Sequence, residues 1–167
     1  GEDGRAPRDR PDAIGVVAGT RTFDWAASGS TLLPGAIAEA LTSYGGHFAI
    51  RAQTKLSEFL RPGAAGSSGA VREPYALGEK FPLPQIHQHY ADGVSLAEAF
   101  FLSVLSPYQL LVVGEPLARP FARFATIELP DWPAHAVGGQ LVVQPRVRPA
   151  PGRPIERMEL WVDGLPA

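Results

Sequence analysis

SLAEAFFLSVLSPYQLLVVGEPLARPF, residues 95–121, is the stretch that decides the fold class of this chain. Ser95, followed three residues later by Glu98, forms the capping-box pattern that begins a helix. That helix is apolar on nearly every side, so we expect it to be packed on both faces, and Pro107 ends it. Residues 110–113 then run apolar without alternation, which predicts a strand covered on both faces, as in a parallel sheet. A buried helix leading into a buried strand indicates the α/β class.

The rest of the first 121 residues alternates strand and helix signals. The predicted elements are a strand at 14–18, a helix at 34–44 closed by Gly45-Gly46 in the left-handed conformation, a short helix from Thr54, a strand at 69–72 and a helix at 84–90. We therefore expect residues 1–12 to be a flexible lead-in and residues 13–121 to form one α/β part-domain.

The pattern changes after residue 121. Residues 124–129, 140–147 and 155–163 favour strands separated by turns rich in Pro and Gly, so 122–167 is predicted to be a short antiparallel β tail. Two or three strands make a poor independent sandwich. We expect the tail either to pack on the α/β part or to belong to a β domain whose remainder lies elsewhere.

Composition excludes several classes of function. The chain of 167 residues has a formal net charge of -2, which gives no electrostatic reason to expect nucleic acid as a partner. It has no cysteine, so a thiol nucleophile, a thiolate metal site and an internal disulfide are excluded. No apolar run approaches the roughly 20 residues that span a bilayer. Because the chain begins with Gly, we expect it to be a processed product or a piece of a longer chain.

Three carboxylates are candidates for a cleft. Glu73 and Glu115 each precede a proline at the predicted end of a strand, and Asp24 lies in the loop after the first strand. If the strands are neighbours in a parallel sheet, these side chains share the crevice at their carboxyl ends and can bind a cation or perform acid–base chemistry. The alternative, which we favour, is that each one caps a helix or pairs with Arg72 or Arg119.

Histidine and serine clusters give weaker signals. His87 and His89 share a face on a strand and then suit zinc, with His47, His135 or Asp92 as a third ligand, but they point apart on the helix predicted for them. Ser67 and Ser68 lie in GAAGSSG, which lacks the spacing of a nucleophile elbow and of a phosphate-binding loop. We therefore predict no metal and no cofactor, and a closely packed turn around the serines.

Two tryptophans in the tail are candidate interaction residues. Trp132 lies between prolines and is predicted to anchor the tail, and Trp161 belongs to the last predicted strand. A ligand-binding module that uses both rings is a further reading. Arg146, Arg148, Arg153 and Arg157 give the tail a basic edge, which is usually a solvated strand face.

Four blocks together resemble a family of uncharacterised, secreted bacterial proteins that is distantly related to the gingipain and caspase-like peptidases. The blocks are PGAIAEALTSYGG (34–46), AAGSSGAVREPY (64–75), KFPLPQIHQHYADGVSLAEAFFLSV (80–104) and LLVVGEPLARPF (110–121). The resemblance covers about half of the chain. It implies the C-terminal part of a caspase-like sheet with flanking helices, the start of an Ig-like sandwich, and a location outside the cytoplasm.

The same resemblance argues against peptidase chemistry. Gly114-Glu115-Pro116 is similar to the Gly-Asp-Pro that ends a strand in the peptidases, but their His–Cys dyad has no cysteine counterpart here. His47 fits the dyad position poorly, so no catalytic residue is carried over. We expect a pseudoenzyme, a structural or protein-interaction component whose partner is another polypeptide or the remainder of its own precursor. The alternative is a fragment of a hydrolase whose catalytic groups lie partly outside this chain.

Overall fold

The computed structural model of this chain describes residues 7–72, 77–106, 109–135 and 138–166. The chain divides into two compact units, Gly1–Ala122 and Arg123–Ala167. The first unit contains the main sheet and all the α-helices that are described, and the second contains short strand pairs.

A four-stranded sheet forms the centre of the first unit. Its strands are β1 (Ala13–Ala18), β2 (Leu32–Ala40), β3 (Gly66–Ala70) and β4 (Leu110–Gly114), and they lie in the order β1-β2-β3-β4. The first three strands run parallel, and β4 runs antiparallel to β3. The helices are α1 (Ser57–Leu60), α2 (Gln85–Ala91) and α3 (Leu96–Ser103). The predicted mixed α/β class is confirmed.

Two hydrophobic clusters cover the two faces of this sheet. One contains Val16, Trp25, Leu32, Ala36, Ala38, Ala40 and Phe59. The other contains Ile37, Ile86, Tyr90, Leu96, Ala99 and Phe100, and so brings α2 and α3 onto the opposite face. Because successive strand residues point to opposite faces, β2 contributes to both clusters. It is the buried central strand of the unit.

The helix predicted at 34–44 is wrong, because residues 34–40 belong to β2 and residues 41–44 form a loop. The alanine-rich run has helical spacing, but its burial on both faces between two neighbouring strands overrides that local preference. Pro34 and Gly35 lie in an irregularity of the β1–β2 register, where the missing N–H of proline and a φ of +89° at Gly35 are tolerated. Gly45 and Gly46 do not adopt the left-handed conformation expected of a helix end.

The beginning of α3 is confirmed, but its environment is not the predicted one. Ser95 N–H donates to Glu98 Oε2 at 2.7 Å, and Glu98 N–H donates to Ser95 Oγ at 3.3 Å, which completes the capping box. Phe100 packs against the sheet, whereas Phe101 and Leu102 are 68% and 60% exposed. The helix packs on one face only, so two-sided burial is wrong.

The strand β4 is also placed differently from the prediction. It lies at the edge of the sheet, antiparallel to β3, and its residues 110–113 are half-buried. An edge strand has one neighbour, so an apolar run alone does not distinguish it from a central parallel strand. Among the other elements, the strand near 14–18 and the helix near 84–90 are confirmed. The strand predicted at 69–72 lies at Gly66–Ala70, so the turn predicted around Ser67 and Ser68 is wrong.

Residues 7–12 of the expected flexible lead-in are attached to the fold by hydrogen bonds. Asp9 N–H donates to the Ser28 carbonyl at 2.9 Å, and Thr31 N–H donates to the Arg10 carbonyl at 2.7 Å. The described part of the lead-in is therefore hydrogen-bonded to the loop that precedes β2.

The second unit contains two short antiparallel pairs. Strands β5 (Thr126–Glu128) and β6 (Arg146–Arg148) form one, and β7 (Trp161–Val162) and β8 (Leu165–Pro166) form the other. The strand predicted at 124–129 is shortened to β5, and those predicted at 140–147 and 155–163 are strands only near their C-terminal ends, at β6 and β7. The turn between β7 and β8 has φ values of +50° and +81° at Asp163-Gly164, the signs that a two-residue hairpin turn requires at both positions.

Candidate functional site

A buried carboxyl group lies at the centre of the main sheet. Glu39 follows Ile37 by two residues on β2, and strand alternation directs it to the face that α2 and α3 cover. The residue is 1% exposed. Glu39 is the residue that inspection of the sequence missed, although a single acid among small apolar residues in AIAEA (36–40) is the signal that marks it.

Glu39 is bonded to Ser68 on the neighbouring strand β3. Ser68 N–H donates to Glu39 Oε1 at 2.7 Å, and the Ser68 hydroxyl donates to Oε2 in a short hydrogen bond. The β2–β3 ladder is defined by the register pair Ile37 and Gly66. Two residues beyond that pair, the Glu39 side chain accepts a backbone N–H of β3, so it extends the connection between the strands toward their carboxyl ends.

Burial raises the pKa of Glu39 to about 8, and its two bonds with Ser68 oppose that rise. Desolvation is the larger effect because a carboxylate without surrounding water loses most of its solvation energy. The group is therefore mainly the neutral acid at pH 7. A carboxyl group with this pKa has the proton affinity of a general base, and Ser68 is a potential nucleophile.

Access decides what this pair can do. Ser68 is 2% exposed, and the neighbouring Ser67 is fully buried. The Ser67 hydroxyl has no hydrogen-bond partner among the described residues. A substrate cannot reach a hydroxyl that is sealed inside a sheet, so the arrangement described here links two strands and does not form an open catalytic cleft.

The predicted cleft carboxylates are not brought together. Asp24 Oδ1 accepts the Ala27 N–H at 3.0 Å, just before the short 3-10 turn Ala26–Ser28 and beside an open cavity of about 350 Å³. Glu115 is exposed and accepts the Leu117 N–H at 3.1 Å within its own turn. Glu73 lies outside the described residues.

Strand direction explains this separation. Because β4 is antiparallel to β3, its carboxyl end at Gly114 pairs with Gly66, the first residue of β3. Asp24 follows the carboxyl end of β1, at the opposite edge of the sheet from Glu115. The expectation of one shared crevice rested on a parallel β4 and is wrong for this pair.

The two histidines of α2 have different environments. His87 packs on β1, where its Nδ1 lies 2.7 Å from the position that a Cβ on Gly15 would take, so only glycine fits beneath the ring. Burial lowers the pKa of His87, and its Nε2 has no hydrogen-bond partner among the described residues. His89 is half-buried, two positions further along the helix. The described residues contain no group of three potential metal ligands.

The candidate interaction tryptophans are both exposed. Trp132 is 60% exposed and lines an apolar groove of about 690 Å³ in the second unit, together with residues from both strands of the β5–β6 hairpin. Trp161 is exposed in β7, and its Nε1–H donates to Glu159 Oε2 at 3.1 Å. Exposed apolar surfaces of this kind are common at sites of protein or ligand binding.

Comparisons with known proteins add no assignment. No protein-family model, no curated protein and no solved structure matches the chain. Within the ranges that the structure describes, no helix has the length and apolar character needed to cross a membrane.

Proposed function

We propose that this chain is a non-catalytic structural or interaction component whose second unit is covered by another polypeptide. The observation that carries the proposal is the almost complete exposure of that unit to solvent. Among its described residues only Ala150 is buried. The large apolar side chains left exposed there are Phe124, Ile127, Leu129, Trp132, Leu141, Val142, Ile155, Met158, Leu160, Trp161, Val162 and Leu165.

Such a surface needs a partner for a physical reason. Each buried side chain of this size contributes about 1.5 to 3 kcal/mol, so leaving many of them in water forfeits most of the driving force for folding. A two-stranded hairpin is also marginally stable alone. A polypeptide that covers the second unit, including the remainder of a longer precursor, supplies the missing apolar contacts.

Two observations on the candidate nucleophiles discussed above support a role without catalysis. The sequence has no cysteine, and the hydroxyl–carboxyl pair of Ser68 and Glu39 is buried in the sheet. The resemblance to secreted relatives of gingipain and caspase-like peptidases fits this proposal as a pseudoenzyme that acts outside the cytoplasm. The sequence of the full precursor tests the proposal of a secreted pseudoenzyme, because it shows whether a signal peptide and a counterpart of the dyad histidine are present.

Sedimentation velocity of the full chain tests the interaction proposal. We expect association that increases from low to high micromolar concentration, because an uncovered apolar surface binds copies of itself. The double variant Ile127→Ser/Met158→Ser should lose this association. The control Phe48→Ser/Leu117→Ser removes two exposed apolar side chains of the first unit and should associate like the original chain. A monodisperse, heat-stable monomer at every concentration contradicts the proposal.

The second candidate function is a hydrolase fragment, which requires a movement of the sheet that exposes the Ser68 hydroxyl beside the Glu39 carboxyl group. If catalytic groups from another segment complete this site, Ser68→Ala abolishes turnover in the reconstituted protein while the free energy of unfolding changes little. If the pair only links strands, the same variant lowers stability and no hydrolysis is measured with ester or peptide substrates.

A further inference from the structure

We propose that the outer edge of β6 binds an extended partner segment in which acidic and apolar residues alternate. This inference rests on the proposed function, since it names the chemistry of the polypeptide that covers the second unit. It is carried by the register of the β5–β6 hairpin, by the apolar groove on one side of it and by the charges on the other.

The hairpin has two chemically different faces. Its register pairs are Thr126 with Arg148, Ile127 with Val147 and Glu128 with Arg146. Because alternate residues point to opposite faces, Ile127 and Val147 share one face and the four polar residues share the other. The hairpin is therefore one layer of a sheet with an apolar side to be covered.

The apolar face continues into the groove of about 690 Å³ described above. Its lining includes Ile127, Leu129, Trp132, Val143, Val147, Ile155, Met158 and Leu160. Side chains that project from every second residue of an added strand enter this groove. Apolar residues are favoured at those positions, because most of the lining side chains are apolar, with Glu156, Arg157 and Glu159 among the others.

The polar face has an excess of positive charge. Glu128 lies opposite Arg146, but Arg148 lies opposite the uncharged Thr126. An added strand next to β6 places its own outward side chains beside Arg146 and Arg148, where carboxylates are favoured and ammonium groups are repelled. This excess of positive charge favours acidic residues at every second position of the partner segment.

The backbone of β6 specifies an extended segment. Among the described residues β6 pairs only with β5, so its other edge presents backbone N–H and C=O groups that another strand can bind. A helix in the groove satisfies the apolar side chains but not this edge. Strand addition satisfies both, and main-chain hydrogen bonds then provide affinity while alternate side chains provide specificity.

Binding of short blocked peptides to the full chain, followed by fluorescence anisotropy, tests the proposal. The probe alternates glutamate and valine. A second peptide has lysine in place of glutamate, a third carries N-methyl groups on the bonding edge of the probe, and a fourth has the probe's composition rearranged to helical spacing. We expect only the first to bind, with hydrogen-exchange protection appearing at residues 146–148.

A matched pair of variants isolates the charge. Arg148→Glu should weaken binding of the glutamate–valine peptide by about fivefold, the size of one exposed ion pair. Arg123→Glu makes the same change in net charge at an exposed position outside β6 and should leave the affinity unchanged. Equal losses in both variants overturn the proposal, since they indicate unspecific attraction.

The outcomes separate this inference from the proposed function. If the helically spaced peptide binds and the alternating peptide does not, the strand-addition inference is wrong while an interaction role for the groove stands. If the lysine peptide binds as well as the glutamate peptide, the acidic requirement is wrong. If no peptide binds and the chain is also a stable monomer, both proposals fail.

Discussion

The carboxyl group of Glu39 lies 2.7 Å from the backbone nitrogen of Ser68 and accepts its hydrogen bond, which joins two neighbouring strands through a side chain. The same carboxyl group also accepts the Ser68 hydroxyl. A buried acid in this position combines a cost, the loss of water around the carboxyl, with a gain, the pairing of a buried N–H.

Removal of the Glu39 side chain should destabilise the first unit. We expect Glu39→Ala to lower the free energy of unfolding by about 2 to 4 kcal/mol, because it leaves the Ser68 N–H without its acceptor and creates a cavity. Glu39→Gln keeps the shape and an acceptor oxygen, and should cost about 1 kcal/mol or less. Urea unfolding followed by circular dichroism measures both. Equal stability of the alanine variant and the original chain would show that the bond contributes nothing.

The ionisation of Glu39 should make stability fall with rising pH. Its pKa is about 8 in the folded state and near 4.5 without burial, so between these values the folded protein holds a proton that the unfolded chain releases. Stability from this group is full below pH 4.5 and is lost as pH rises through 8, at about 1.4 kcal/mol per pH unit within that window.

The Glu39→Gln variant isolates this effect, because the amide does not titrate. The difference in unfolding free energy between the original chain and Glu39→Gln should change steadily from pH 5 to pH 8, in the direction that disfavours the original chain at high pH. A difference that stays constant over this range would be incompatible with a raised pKa.

Close approach of the loop at Gly45-Gly46 to β3 should make the glycine at position 69 costly to replace. A Cβ on Gly69 would collide with the backbone of Gly45 and Gly46, so Gly69→Ala should cost about 1 to 3 kcal/mol. Gly78 provides the matched control, since nothing lies within 4 Å of its Cβ position and its φ is not positive. Gly78→Ala should be neutral or slightly stabilising. Thermal unfolding of both variants gives the comparison.

Tryptophan fluorescence should report the exposed second unit. Trp25 is buried in the first unit, whereas Trp132 and Trp161 are exposed. In the Trp132→Phe/Trp161→Phe variant we expect emission at shorter wavelength and weak quenching by iodide, because only the buried ring remains. Trp25→Phe should have the opposite spectrum. If iodide quenches all three rings equally, the difference in burial between the units is wrong.

Local signals in the sequence predicted the elements whose determinants lie within a few residues. The capping box of Ser95 and Glu98 fixed the start of α3, because both hydrogen bonds form inside one turn. Pro84 before α2 and Gly93 after it likewise marked the two ends of that helix within a few residues. The mixed α/β class followed from the alternation of such elements.

The sequence failed where the environment of a strand decides its structure. The alanine-rich segment 34–44 suits a helix in isolation, and only the position of residues 34–40 between β1 and β3 makes them a strand. Likewise, an apolar run such as residues 110–113 does not show whether the strand runs parallel or antiparallel to its neighbour. Because β4 is an antiparallel edge strand, Glu115 lies at the other edge of the sheet from Asp24.

By itself, then, the sequence determined the α/β class, the capped start of helix α3, the absence of any cysteine chemistry and a tail of short strands. The tertiary structure alone decided that Glu39 meets Ser68, that β4 is an antiparallel edge strand, and that the apolar residues of 123–167 remain in contact with water. The physical reason is range: a cap or a turn is specified by neighbours along the chain, whereas burial, strand direction and a raised pKa depend on residues that only folding brings together.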